Sequence, residues 1–375
     1  VNQESGQCWK SIVTAIDGKL RLALEKASLF PQSLRAFLLP DAVANIGRFI
    51  EYSTTQSGSQ IREGVAVLKP RERAEAALNL RIPDQVPTFE LEFQLEEEMF
   101  GKKFLHQQDL EGLTFKEQER LVKGNAEYMI KVYSTLEYSI IPLHYLDGDW
   151  IRVTAQHIRN LVGDTFMLTT KGDGTFAIPD GSQFERFVYQ IADDPKSVEE
   201  EADRMANAAI ERNKRNIDAG IDSFILCSDY CFNTGPFLSP TMFARFVQPY
   251  LARIIAETKK AGAYTIKHTD GNIMPILDQL VASEPHALHS LDPMAGVDIK
   301  EVKRLVGDQV CLCGNVHCAA LQTETDEEVI ASATYALKYG KPGGGYIFCT
   351  SNIPFKGMDP KRYELVLDVW KRYRD

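Results

Sequence analysis

Residues 223–268 read SFILCSDYCFNTGPFLSPTMFARFVQPYLARIIAETKKAGAYTIKH, and this stretch decides the fold. It opens on SFILC, apolar on consecutive residues, as a strand covered on both faces is. It closes on AYTIKH, a second such run. Between them, Ser239-Pro240 supplies an N-cap and a proline at the first helical position, and Gly262 after Lys259-Lys260 supplies a stop. Pro249 predicts a kink inside that helix. Two buried strands joined by a helix are parallel, because a parallel pair needs a crossover connection.

The same unit recurs in both directions. Strand-like runs fall at 86–93, 139–146, 165–170, 223–228, 263–268, 287–291, 309–313 and 345–350, with longer helix-like segments between them. Asp298 with Glu301, and Thr325 with Glu328, give capping-box starts, and Gly307 and Gly340 can end those helices. Eight strand–helix units over about 300 residues predict an α/β fold, a (β/α)8 TIM barrel. A doubly wound open sheet competes, but no GxGxxG or GxxxxGK[ST] occurs. Gly343-Gly344-Gly345 precedes a strand and reads as a turn. Residues 1–67 differ, with helix-like segments at 9–29 and 42–52, and are expected to form a helical N-terminal extension. Residues 68–375 would form the barrel.

Composition narrows the partners. The 42 Lys and Arg against 52 Asp and Glu leave a formal charge of −10 over 375 residues. That disfavours a nucleic-acid binder held by a basic face. No apolar run reaches the roughly 18–20 residues of a membrane span. Residues 1–7 are polar and acidic, so no secretory signal is expected in the chain as given. Seven cysteines without a CxxC pair give no zinc ribbon and suit a reducing, cytoplasmic setting.

Active sites of such barrels collect at the C-terminal ends of the strands. The sharpest candidate there is His268-x-Asp270-Gly271-Asn272. A spacing of two puts His268 and Asp270 on one side, as a metal-ligand pair or an acid–base pair. The competing reading is a strand-end turn with Asp270 acting as a cap. Asp229 directly follows its strand and can hold a cation or a hydroxyl, or bond to backbone. Glu90 and Glu92 share one parity; a buried pair of like charges raises a pKa or recruits a cation, whereas an exposed pair does neither. Tyr230, Asn315 and Asn352 stand at strand ends where they would line a pocket. The later cysteines read mainly as small hydrophobes. His286 and His289 flank an apolar run and read as structural.

Several segments carry a family resemblance: RERAEAALNLRIPDQVPTFEL at 71–91, SDYCFNTGPFLSPTMFARFVQPYLARIIAETKKAG at 228–262, KHTDGNIMPILDQL at 267–280, LDPMAGVDIKEVKRLVGDQVCLCGNV at 291–316 and GGGYIFCTSNIP at 343–354. In this order the chain resembles the uroporphyrinogen decarboxylase superfamily, and within it the corrinoid-linked methyltransferases. The resemblance implies a (β/α)8 barrel with its site in the mouth. The decarboxylases hold a poly-acid with arginines after the first strand; Glu90, Glu92 and Glu96 stand there in this chain. Thiol-acceptor methyltransferases bind zinc through His-x-Cys and a later Cys. His268 matches the histidine, while Asp270 and Asn352 stand where the cysteines would be. A site of His268 and Asp270, with Asp229 or Glu92, is harder and more Lewis-acidic, and could hold zinc or no metal.

The resemblance therefore implies a first-step methyltransferase, an O-demethylase component of anaerobic one-carbon metabolism. It would move a methyl group from a small, methoxylated donor to the cobalt of a corrinoid carried by a partner protein. Asp229, His268 and Asp270 would be catalytic, and Glu90, Glu92, Tyr230, Asn315 and Asn352 would bind substrate. Two rivals stand beside it: a cofactor-free lyase of a small carboxylic acid, and a non-catalytic binding barrel. A homodimer is compatible with all three.

Overall fold

In the computed structural model, residues 67–375 are described. The helical segments expected within 1–67 lie outside them, as does Cys8. The element that organises the rest is a parallel sheet. Its strands are β1 (Ile140–Pro142), β2 (Met167–Lys171), β3 (Ser223–Cys227), β6 (Tyr264–His268), β7 (Ala287–His289), β8 (Cys311–Val316) and β9 (Tyr346–Thr350), hydrogen-bonded in that order. Two short strands, β4 (Cys231–Phe232) and β5 (Gly235–Pro236), form an antiparallel hairpin beyond β3. The strands bury nearly every residue, which is why their sequences show no polar alternation. Helices such as Pro195–Asp218, Gln248–Lys260, Asp326–Gly340 and Pro360–Tyr373 connect them and pack outside. The architecture is TIM-barrel-like.

Seven of the eight expected strands are regular; the exception is 86–93. Pro87 has no N–H to place in a ladder, so the segment keeps a single bridge, Thr88 to Phe348 of β9. It still joins the two edges of the sheet. The Pro87 carbonyl accepts from Phe348 N at 2.9 Å, and the Thr88 carbonyl accepts from Ser139 N, just before β1, at 2.8 Å. The Thr88 hydroxyl donates to the Phe348 carbonyl at 2.8 Å.

The helix expected after Ser239 is two helices, Pro240–Phe246 and Gln248–Lys260, separated at Val247. Pro249 cannot donate to Arg245 and its ring crowds that carbonyl, so the expected kink becomes a break. Ser239 caps through Met242 N, and Thr325 and Glu328 form their capping box. Asp298 caps through Lys300 N, but Glu301 turns to Arg304 instead of closing a box. Among the described residues no helix is long and apolar enough to cross a membrane.

One glycine fixes where β6 ends. Gly271 has φ +81°, and a Cβ there would overlap the carbonyls of Cys231 and Phe232 in the hairpin. Asn272 N donates to the Phe232 carbonyl at 2.9 Å, so the loop lies flat on that hairpin. Gly271→Ala is expected to cost about 2–4 kcal/mol, from the left-handed backbone and the overpacking together. Urea unfolding measures this; a change below about 0.5 kcal/mol, the level of a neutral surface substitution, would refute the close approach.

Candidate active site

The site begins with strand register. Cys227, His268, His289 and Cys313 are successive partners across β3, β6, β7 and β8, so all four sit at one level of the sheet. Beyond that level lie the strand-end loops. Asp229 follows β3, Asp270 follows β6, and Ser290 and Asp292 follow β7.

The loop carrying Asp229 is held from below by Lys267. This lysine alternates with His268 on β6 and is fully buried. Its ammonium donates to Asp173 Oδ2 at 2.9 Å and to the carbonyls of Leu226 and Ser228, each at 3.0 Å. The Tyr230 ring lies 3.9 Å beneath it. All three donors are therefore satisfied. Burial alone would raise the Asp173 carboxyl; Lys267 beside it, with bonds from Thr175 and Gly174, outweighs burial and holds it below the ordinary range. Ile178 N donates to the Asp229 carbonyl at 2.8 Å, and Tyr230 N to the Thr269 hydroxyl at 2.9 Å.

Above this support, His268, Asp229 and Asp270 converge. His268 Nε2 lies 3.8 Å from Asp229 Oδ1 and 3.9 Å from Asp270 Oδ1. Asp270 N donates to Asp229 Oδ1 at 3.1 Å. The Asp270 carboxylate accepts from the Ser290 hydroxyl at 2.6 Å and from the Asn352 amide. Burial raises the Asp270 carboxyl to about 6, opposed by Ser290 and aided by the charges of Asp229 and Asp292. Burial lowers the His268 imidazole to about 4, against the pull of Asp229. His268 Nδ1 faces away from the acids and meets His289 Nδ1 at 2.8 Å.

Glu90 and Glu92 do not form a pair. The Glu90 carboxyl accepts from Thr350 N and from the hydroxyls of Thr350 and Tyr363. Burial raises it to about 8 despite those bonds. Glu92 accepts from Gln94 Nε2 at 2.6 Å and lies 3.3 Å from His144 Nε2. Burial works against its charge, but His144, Gln94 and Lys171 prevail and bring it to about 2. The His144 contact is off the hydrogen-bonding line and burial pushes that imidazole towards its neutral form, so Gln94 is the hydrogen-bonded partner of Glu92.

Among the described residues, the His, Cys, Asp and Glu atoms close enough to share a cation are those of Asp229, His268 and Asp270, all within 4.8 Å of one another. One imidazole nitrogen and two carboxylates form a hard donor set that fits zinc, with His289 behind His268 as its outer partner. Neither glutamate joins this group.

The remaining expected residues lie as follows. Tyr230 is fully buried, its ring under Lys267 and its hydroxyl on Thr175, so it supports the loop and does not line a pocket. Asn315 Nδ2 donates to the Leu291 carbonyl at 2.9 Å and secures the loop after β7. Asn352 reaches the site through Asp270. His289 is not a bystander, whereas His286 accepts from Thr265 N and stays structural. Burial holds the thiols of Cys227 and Cys231 up at about 11 and about 12, and keeps Cys313 and Cys349 protonated.

Sequence reasoning missed Lys267 with Asp173, and the contact of His289. A lysine inside the apolar run YTIKH was the available signal for the first; the second left none.

Lys267→Met leaves Asp173 buried without its cation, and is expected to cost about 3–5 kcal/mol, read by urea unfolding. Glu90 offers a pH test. Its folded pKa of about 8 lies above the ordinary 4.5. The folded state holds this proton where the unfolded chain has released it, so its contribution is full below the unfolded pKa and is lost as pH rises towards 8. Glu90→Gln is expected to flatten a fall of up to about 1.4 kcal/mol per pH unit between those values. Parallel stability profiles for the two proteins would contradict the assignment.

Comparison with known proteins places this geometry. The uroporphyrinogen decarboxylase (URO-D) family pattern matches residues 177–373, just over half of the chain. Uroporphyrinogen decarboxylase of Thioalkalivibrio sulfidiphilus is 27% identical over 206 residues, covering 52% of this chain and 54% of that protein. The enzyme of Photobacterium profundum is 24% identical over 186 residues, covering 46% and 48%. The matched region thus spans about half the length of these curated relatives. Among solved structures, a methyltransferase from Methanosarcina mazei superposes with a TM-score of 0.65 at 16% identity, covering 82% of this chain and 99% of that one. The fold is shared with that methyltransferase, and the chain belongs to the uroporphyrinogen decarboxylase family.

Proposed function

We propose that this chain is a methyltransferase that takes a methyl group from a small methylated compound, a methoxylated aromatic before others, and passes it to the cobalt of a corrinoid carried by a partner protein. The observation that carries the reading is the cluster of Asp229, His268 and Asp270 at the strand ends. Asp292 adds its charge beside Asp270. Such a mouth suits a neutral or cationic donor and repels a poly-acid. The fold shared with the Methanosarcina mazei methyltransferase is compatible with this chemistry.

A reduced corrinoid supplies a strong nucleophile for the methyl carbon, so the chain's task is at the leaving atom. Asp270, with its carboxyl near 6, is partly protonated close to neutrality and can donate to the leaving oxygen. Asp229, whose side chain is 48% exposed, is the member a substrate reaches and orients the donor. The bond from Asp270 N to Asp229 Oδ1 ties the two acids together, and His268 Nε2 stands within 3.9 Å of both. Zinc on these three residues would supply Lewis acidity at the same oxygen. The partner protein would dock over the mouth, where the strand-end loops converge.

The family membership supports a second reading, decarboxylation of a smaller acid. One assay separates the two. The protein is incubated with methoxylated aromatics or methylamines and a reduced corrinoid protein, and the cobalt is followed by its absorbance; CO2 release from carboxylic acids is followed in parallel. Methylation of cobalt is expected, reduced at least about 100-fold by His268→Ala or Asp270→Ala. CO2 release without cobalt methylation would replace the first reading by the second.

A further inference from the structure

We propose that Lys171 is the specificity-determining residue of the mouth: its ammonium takes a single carboxylate that the donor carries at the end away from the transferred methyl group. The identity of the donor rests on the methyl-transfer reading above; the contact itself rests on geometry.

Register puts Lys171 in the mouth. It is the last residue of β2 and is exposed, whereas Met167, Leu168, Thr169 and Thr170 before it are buried. In a parallel sheet, paired residues point to the same face, and alternate residues along a strand return to it. Lys171 pairs with Ile225, Ile225 with Ile266, and Cys227 with His268. Lys171, Cys227 and His268 therefore share one face of the sheet, the face that carries the site. Lys267 lies on the opposite face, and its donors are spent on Asp173 and two carbonyls.

The neighbours of Lys171 do not answer its charge. Carrying β1 on by two residues brings His144 alongside it, and Glu92 lies beyond, 3.3 Å from His144 Nε2. Lys171 acts on both through charge alone, with no hydrogen bond to either. Burial pushes His144 towards its neutral form, and Glu92 is turned to Gln94. On the other side the charge of Lys171 reaches the Cys227 thiol, which burial keeps protonated. Among the described residues the Lys171 ammonium has no ion-pair or hydrogen-bond partner. A carboxylate that displaces its water inside a walled mouth meets this charge at reduced dielectric and gains a charge-assisted hydrogen bond.

The placement suits one shape of donor. Only β3 separates β2 from β6, so the two strands are about 10 Å apart. One aromatic ring bearing a carboxylate and a methoxy group spans that gap, with the carboxylate on Lys171 and the ether oxygen at Asp270. A second carboxylate would meet Asp229, Asp270 or Asp292. The mouth thus admits a mono-acid where Lys171 offsets its charge, and still repels a poly-acid.

The test uses the full-length protein with the ortho, meta and para methoxybenzoates and the matching methoxybenzamides, which keep the shape and lose the charge. Titration calorimetry reads binding without the corrinoid protein, and the cobalt absorbance reads transfer with it. At least one benzoate is expected to bind about tenfold or more tightly than its amide. Lys171→Met is expected to abolish this preference by weakening the benzoate, leaving the amide within about twofold, while Lys171→Arg retains it. A wild-type protein that binds the amides as tightly as the benzoates, or binds neither, overturns the proposal, as does a preference that survives Lys171→Met. Benzoate binding that depends on Lys171 but yields no methylated cobalt would uphold this contact and overturn the methyl-transfer reading. Cobalt methylation indifferent to the charge of the donor would do the reverse.

Discussion

The parallel register of β3, β6, β7 and β8 is the constraint on which this molecule depends. It places His268 beside Cys227 on one side and His289 on the other. Because side chains alternate along a strand, a slip of one residue in β6 would turn His268 towards the helices and bring Lys267 to the mouth. Lys267 cannot be moved cheaply. Its ammonium is buried against Asp173 and two carbonyls, and it holds the loop that presents Asp229. The same register thus secures the site residue and its support on opposite faces of one strand.

Electrostatics then divides the carboxylates by role. Glu90, Glu92 and Asp270 have similar ordinary acidities, yet they are drawn to about 8, about 2 and about 6. Burial raises the first and third. Glu92 is also half-buried, but His144, Gln94 and Lys171 reverse the outcome. At neutral pH the three are therefore a buried neutral acid, a fixed anion and a group poised between the two states. The net charge of −10 says nothing of this, because it counts all three alike.

Much of the parallel sheet was legible because buried parallel strands are written as consecutive apolar residues. The exception, 86–93, shows the limit. Its residues have strand character, but Pro87 withholds one donor, and the edge contacts of Thr88 come from Ser139 and Phe348 far along the chain. The trio of Asp229, His268 and Asp270 was legible for a local reason: each stands at or just after a strand end. Tyr230 and Asn315 stand in equally promising places, yet their side chains turn inward to Lys267 and to the Leu291 carbonyl. Position at a strand end does not say which partner a side chain will find.

The sequence by itself determined the succession of strands and helices, the family, and the strand ends at which polar groups collect. Those properties are carried by local patterns: apolar runs, caps, stops and short motifs. Only the tertiary structure decided which of those groups meet. Lys267 finds Asp173 across 94 residues, and His268 finds His289 across 21. It also decided that Glu90 is neutral while Glu92 is charged. Contact, burial and the field of neighbouring charges are properties of space, and sheet closure brings together residues whose separation along the chain carries no trace of it.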